Sequence, residues 1–298
     1  MKLKYKLLVA ALTLVLAAAI FSVVFFTRSP VLVVVDQSFL QLYGVSRAKM
    51  ETRHSSLVLF RWVRTIAIAD DAGDDIVQYA IAEVSSAPHC VIFPLRFAQA
   101  ARIYREQNPE IPVVILEGRF PETANPSSFA LGRNADDYFL YKTDIAADFY
   151  RAGLAAVILD RDINARVVVM LESGIQVQGR EAFLRAINDL EKPLQTSFFT
   201  SFSQFSSNEG LSSVVLAGIG FDYLDRYTDV PVIFFTWISP DFIPIDVVLL
   251  FNDSPFVQVV PAVRMIVAGM TKGQIPSKIQ VLPGKGLDKA TLRNLRKI

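Results

Sequence analysis

The residues of this chain best suited to chemistry stand where short apolar runs end. Asp36, Gln37 and Phe39 follow one run, Leu95 and Arg96 a second, Glu117 and Arg119 a third, and Thr143 and Asp144 a fourth. Further along come Glu172 and Ser173, Phe221 and Asp222, Trp237, and Asn252 with Asp253. In open α/β sheets ligands bind beyond the carboxyl ends of the strands, because helix amino termini and loop side chains converge there. Aromatic faces mixed with carboxylates, amides and guanidinium groups suit a small ring bearing several polar substituents. Arg180, at the start of an amphipathic segment, is a further cation within possible reach. Each of these residues also has a structural use. Asp36 can cap the helix that follows it, Phe39 and Phe221 can pack in a core, Arg119 can be a solvated loop charge, and Trp237 can fill space rather than stack on a ligand.

The same survey tests enzymes and finds no support for them. Gly218-Ile219-Gly220 lacks the third glycine of a dinucleotide fingerprint, and the turn Asp36-Gln37-Ser38-Phe39 has no glycine at all. Gly284-Lys285-Gly286 has neither the upstream glycine nor the following Ser or Thr of a phosphate loop. His54 and His89, the only histidines, are not paired with a nearby ligand at metal spacing, and the single cysteine, Cys90, cannot build a zinc site by itself. No G-x-S-x-G elbow is present. Glu117 and Asp144 form a carboxylate pair suited to acid–base work, but acids at several strand ends are equally what a binding cleft needs. The expectation is a non-enzyme with no catalytic residue, metal or cofactor.

The elements that must hold these residues begin after an apolar leader. Residues 7–26 are apolar except for Thr13 and Ser22, and as a helix they would span about 30 Å, the thickness of a bilayer core. Lys2, Lys4 and Lys6 precede this stretch and no acid appears before Asp36, which predicts a cytoplasmic amino terminus and an exported remainder. Ala17-Ala18-Ala19 offers the alternative of a cleaved signal, at the cost of leaving Ile20 to Phe26 at the new terminus. Taking Lys2, Lys4, Lys6 and Arg28 from the 30 basic residues leaves 26 against 29 acidic ones, a balance that argues against nucleic acid. Cys90 lies in an apolar run and is expected to be a buried, inert thiol.

Beyond the leader, β-rich runs alternate with segments of helical periodicity, the pattern of βα units around parallel sheets. Strands are predicted at 31–35, within 57–69, and at 90–95, 113–117, 137–143, 167–171, 194–200, 214–219, 232–236, 247–251 and 278–282. Helices are predicted at 37–50, 71–86, between the third and fourth strands, and at 144–159, 179–190 and 255–273. A basic tail runs from Lys285 to Ile298. The strand runs are continuously apolar, as strands buried on both faces must be. Two successive sets of about 110 residues each argue for two α/β lobes.

Four stretches carry a resemblance to a known family. Ile111 to Arg119 resembles a strand that brings a carboxylate and an arginine into a cleft. Thr143 to Asp148, with Gly153-Leu154-Ala155, is similar to a crossover into a second lobe. Pro231 to Trp237 with Ser239-Pro240-Asp241 looks like a strand followed by a Pro-Asp turn, and Val248 to Asn252 with Ser254-Pro255 looks like a return crossing. The family is the type I periplasmic binding proteins, and the likeness covers about residues 31–285. Trp237 replaces the aspartate usual at its position, Gly220-Phe221-Asp222 replaces an Asn-Asp pair, and only Phe242 to Asp246 remain where a helix is usual.

The resemblance implies two doubly wound parallel-sheet lobes joined by three crossing segments and preceded by a transmembrane helix. The expected division is 1–29 as anchor, 30–142 with 252–276 as the first lobe, and 143–251 with 277–298 as the second. The cleft is expected to draw on Asp36, Gln37, Phe39, Glu117, Arg119, Asp144, Arg180, Phe221, Asp222, Trp237 and Asn252. The function it implies is an extracytoplasmic solute receptor that closes on a nucleoside-like or sugar-like ring and presents it to a membrane permease or signalling protein. The competing expectation is an anchored sensory or scaffold module whose degenerate cleft has given way to a protein-binding surface.

Overall fold

The computed structural model describes residues 11–16, 19, 23–119, 137–160, 166–171, 175–192, 194–200, 211–217, 230–244, 246–283 and 287–298. Among these, the strands form two six-stranded sheets. The first holds β1 (Val31–Asp36), β2 (Val63–Ile68), β3 (Cys90–Pro94), β4 (Val113–Gly118), β5 (Phe139–Thr143) and β11 (Lys272–Ile275), in the order β11-β5-β4-β3-β1-β2. The second holds β6 (Arg166–Leu171), β7 (Gln195–Phe199), β8 (Leu211–Ala217), β9 (Val232–Phe235), β10 (Val247–Asn252) and β12 (Lys278–Val281), in the order β12-β10-β9-β8-β6-β7.

Every pairing in the first sheet is parallel. The second sheet is parallel except where β12 joins β10 antiparallel. The exception follows from the chain path. The two sheets turn their carboxyl ends toward each other, so a chain that runs up β11 and straight across enters the second sheet from its carboxyl edge and must run against its neighbours.

In the first lobe α1 (Gln37–Tyr43), α2 (Val45–Leu59) and α7 (Pro255–Val267) cover one sheet face, and α3 (Asp74–Val84) and α4 (Ala98–Gln107) cover the other. This double cover explains why Val31 to Val35 are all fully buried. In the second lobe α5 (Ile145–Leu159), α6 (Gln176–Asp189) and α8 (Lys289–Leu295) line one face of the sheet. There α5 and α6 approach closely at Gly153, where a Cβ would lie 2.8 Å from both Ala186 Cβ and the Phe183 carbonyl oxygen.

Several expectations need correction. The helix predicted at 37–50 is two helices broken at Gly44, whose φ of +92° is open to glycine and strained for other residues. The strand expected within 57–69 is found there as β2 at Val63–Ile68, after α2 has continued to Leu59. The helix predicted at 255–273 stops at Val267, and its last residues form β11 instead. The basic tail contains α8, capped by the Asp288 side chain accepting from Thr291 N at 2.7 Å.

In the leader, residues 11–16, 19 and 23–27 are helical, with Leu12, Leu14, Val15, Leu16, Val23 and Phe26 exposed. Among the described residues no helix is long and apolar enough to cross a membrane. The remainder of the predicted span, at 7–10, 17–18 and 20–22, lies outside the described residues.

Candidate functional site

The site is built at the carboxyl ends of both sheets. From the first lobe, Asp36 ends β1, Pro94 to Arg96 end β3, and Leu116 to Arg119 end β4. From the second, Phe235 to Trp237 end β9 and Ile175 precedes α6, while Asp253 to Gln258 lead from β10 back into α7. These residues, with Ser38, Phe39 and Leu42 of α1, surround a cavity of about 560 Å³. That size falls within the roughly 300–1,000 Å³ range of small-molecule sites.

The charged groups in the cavity wall each have a protein partner. Asp36 Oδ1 accepts from Phe39 N at 2.7 Å, capping α1, while Asp36 Oδ2 lies 2.8 Å from Arg96 Nη1. Glu117, nearly buried, lies 3.5 Å from Lys142 Nζ. Arg119 donates through Nη2 to the Phe251 carbonyl at 2.6 Å and to Ser277 Oγ at 2.9 Å, and its Nη1 lies 3.2 Å from Asp253 Oδ1. Its guanidinium also lies 5.2 Å from the centre of the Phe235 ring. The apolar part of the wall includes Phe39, Leu42, Leu95, Leu116, Ile175, Phe235 and Trp237. Phe39 and Trp237, from opposite lobes, meet with ring centroids 4.4 Å apart and a tilt of 45°.

Beneath the cavity the crossing segments are knotted together by one buried acid. Asp148 of α5, fully buried, accepts from Ser277 N at 2.9 Å, from Ser277 Oγ and from Arg151. Burial pushes its carboxyl up from the ordinary aspartate value, and Arg119, Ser277 and Arg151 pull it back. Arg151 Nη2 also donates to the Ser277 carbonyl at 2.9 Å, and Thr143 Oγ1 donates to Asp253 Oδ2 at 3.1 Å. All three crossings therefore share one hydrogen-bonded network.

A second bridge between the lobes lies to one side. Arg47 of α2 donates to the carbonyls of Trp237 and Ile238 at 3.2 and 3.1 Å and to Gln280 Oε1 at 2.8 Å. Ser239 N donates to the Leu42 carbonyl at 3.0 Å, and Lys278 Nζ pairs with Glu51 at 2.7 Å.

Of the residues expected at the site, Asp36, Phe39, Glu117, Arg119 and Trp237 line the cavity. The others sit elsewhere or outside the description. Gln37 is solvent-exposed, and Asp144 caps α5 by accepting from Ala147 N at 2.9 Å. Asn252 is buried away from the cavity, accepting from Ser254 N at 2.9 Å and facing the Tyr43 hydroxyl at 3.4 Å. Arg180 is exposed and sits 5.2 Å over the Phe198 ring. Phe221 and Asp222, like Glu172 and Ser173, lie outside the described residues. The cavity also takes in Ser38, Ile175, Phe235, Thr236, Pro255 and Gln258, which the strand-end rule passed over. Phe235 and Thr236 were hidden because they read as strand interior, and Gln258 because it sits one turn inside a helix.

Two lobes with facing carboxyl edges, three crossings and a cavity between them have close counterparts among solved structures. A transcriptional activator of the comK gene from Bacillus halodurans aligns over 90% of this chain and 95% of its own, with TM-score 0.55 and 12% identity. An ABC transporter solute-binding protein from Conexibacter woesei aligns over 90% and 94%, with TM-score 0.53 and 10% identity. A periplasmic solute-binding protein from Actinobacillus succinogenes with bound D-allose aligns over 89% and 100%, with TM-score 0.50 and 12% identity. The fold is that of the type I periplasmic binding proteins. At these identities the likeness is one of architecture. No family model matches the sequence, and no curated protein does. In this chain Trp237 stands at a strand end in the cleft, in contact with an aromatic ring of the opposite lobe.

Proposed function

We propose that the protein is an extracytoplasmic receptor that closes its two lobes on a small ring compound. The observation that carries this reading is the cavity of about 560 Å³, walled by side chains of both lobes and of the crossing that links them. A ligand touching both walls stabilises the closed arrangement over the open one, which is the thermodynamic requirement for a hinge receptor. D-allose bound to the Actinobacillus succinogenes protein, which has the same fold, supports a ligand of similar size.

The wall chemistry favours a planar or partly apolar ring, nucleoside-like ahead of sugar-like. Phe39 and Trp237, both half-buried, offer aromatic surface, and Phe235 adds a buried ring already stacked with Phe149 and Phe251, whereas the nearby charges of Asp36, Arg96 and Arg119 are engaged with protein partners. In this reading residues 7–26 are an uncleaved membrane anchor, the first and second lobes comprise 30–142 with 252–276 and 143–251 with 277–298, and the closed form engages a membrane permease or a signalling protein. The aromatic faces make stacking and burial the source of affinity, so the work done is binding rather than catalysis.

A thermal-shift screen of the full chain against nucleosides, sugars and amino acids tests this. Ligand saturating at about 100 times its Kd adds about 2.7 kcal/mol of stability and a clear rise in Tm. If no compound of the three classes moves the transition, the second reading takes over: an anchored sensory or scaffold module whose degenerate cleft serves protein binding. The ion pairs already satisfied inside the cleft and the direct Phe39–Trp237 contact are the observations in its favour.

A further inference from the structure

The amino ends of the first-lobe strands form a base, and the leader arrives there. Phe25 is 8% exposed, packed edge-on against Trp62 with ring centroids 5.0 Å apart, and Phe26 meets the same indole at 5.6 Å. Trp62 immediately precedes β2, and its carbonyl accepts from Val31 N at 2.8 Å at the start of β1. Arg61 Nη1 donates to the Ser29 carbonyl at 3.2 Å, and His89 N to the Pro30 carbonyl at 2.7 Å. The end of the leader is thus fastened to the lobe by rings and hydrogen bonds rather than joined through a loose tether.

Two helices of one sheet face, α2 and α7, run down to the same base and finish with apolar side chains in solvent. Leu57 and Val58 in the last turn of α2 are 55% and 39% exposed, and Phe60 just beyond is 44% exposed. Val267, the last residue of α7, is 76% exposed, and Met270 beyond it is 47% exposed. Phe60 sits on a left-handed backbone, with φ of 53°, a conformation that glycine or asparagine usually supplies at a helix end. Arg61, Arg264 and Lys272 border these residues in sequence, and Arg28 follows the leader two positions after Phe26. Glu110 and Asp137 stand just before β4 and β5, so acids occur at the strand amino ends as well.

We propose that this base, Leu57, Val58, Phe60, Val267 and Met270, rests on the headgroup–acyl boundary of a phospholipid bilayer, so that the first lobe is a peripheral membrane body and the second lobe the moving one. The inference rests on the anchor reading of residues 7–26. Its force comes from distance. The apolar run ends at Phe26, and Phe26 touches Trp62, so the bilayer surface at which that run emerges lies within about one helical turn, roughly 5 Å, of the lobe. Trp62 is of a residue type enriched at the membrane–water interface, and arginine stems can lie on apolar surface while their heads reach phosphate. A lobe fastened in this way would keep its cleft at a constant height and orientation over the membrane.

The test places single fluorescent labels on the full chain in vesicles of phosphatidylethanolamine and phosphatidylglycerol, with brominated acyl chains as the quencher. Phe60→Cys and Val267→Cys probe the base, Leu12→Cys the leader, and Tyr79→Cys on α3 and Phe242→Cys in the second lobe serve as exposed controls. The expected result is quenching at 60 and 267 at least threefold above that at 79 and 242, with circular dichroism spectra unchanged. Quenching at 12 with none above control at 60 and 267 overturns this proposal and leaves the anchor standing. No quenching at 12 overturns the anchor and the proposal with it. Energy transfer between copies labelled at 60, without lipid quenching, assigns the surface to a second chain and also overturns it.

Discussion

The two walls of the cleft are made of different material. The first-lobe wall carries charge, with Asp36, Arg96, Glu117 and Arg119, and each has a protein partner. Among the described residues the second-lobe wall is Ile175, Phe235, Thr236 and Trp237, three large apolar side chains and one hydroxyl. The difference separates two tasks that a binding cleft must perform. The charged wall is tied by its own ion pairs and by Arg119, which reaches across to two of the crossings, so we expect it to be the more rigid of the two. On the second wall Ile175, Phe235 and Thr236 are already buried, and it is half-buried Trp237 that offers surface whose burial gains free energy when something lies against it.

The largest expected effect comes where the two walls are joined. Asp148→Ala leaves Arg151 and the Ser277 hydroxyl facing an empty, buried site and should cost about 3–5 kcal/mol, the usual result of breaking a buried charge pair from one side. Chemical denaturation would show it. A loss below about 1 kcal/mol would mean that the crossings are held by something other than this network, and the contrast between a rigid and a responsive wall would lose its foundation.

Next comes a direct comparison of the walls by calorimetry, using whichever ring compound the screen returns. Trp237→Ala should weaken binding tenfold or more, about 1.4 kcal/mol, because it removes a stacking face from the responsive wall. Arg96→Ala should weaken binding of an uncharged ligand less than threefold, since its guanidinium is engaged with Asp36. The reverse ranking would show that the ion pairs open to admit the ligand and would exchange the roles assigned to the two walls. Arg119 is unsuited to this comparison, because its removal also unties the crossings.

The smallest effect concerns the interior of the charged lobe. Burial pushes the Cys90 thiol up to about 12, so the folded protein holds it as the unreactive neutral form throughout the ordinary pH range. An alkylating reagent at pH 8 should leave it unmodified until denaturant exposes β3. Rapid labelling of the native protein would indicate that the first lobe opens readily, contrary to the rigidity assigned to it.

Much of the architecture was legible in the sequence. Continuous apolar runs such as Val31 to Val35 and Val247 to Phe251 can be stable only when covered on both faces, so parallel sheets with helices on either side followed from hydrophobicity alone. Strand ends are marked by the first polar residue after such a run, and that rule located Asp36, Glu117, Arg119 and Trp237 at the cavity. The break at Gly44 was harder to read, because a single glycine within a helical pattern carries no sign of its φ until packing imposes it.

Only the tertiary structure decided what those residues do. Asp36, Asp144 and Asn252 occupy the same kind of position, and the first two both cap the helix that follows, yet only Asp36 lines the cavity, while Asn252 turns inward to Tyr43, a partner 209 positions away. Ser277 and Asp148, which tie the crossings, lie 129 positions apart, and nothing in the local pattern of either announces the other. Local composition specifies which segments become strands and helices, because burial and backbone preference act over a few residues. Which polar groups stay available to a ligand depends on partners from distant parts of the chain, and those become neighbours only once both lobes have folded.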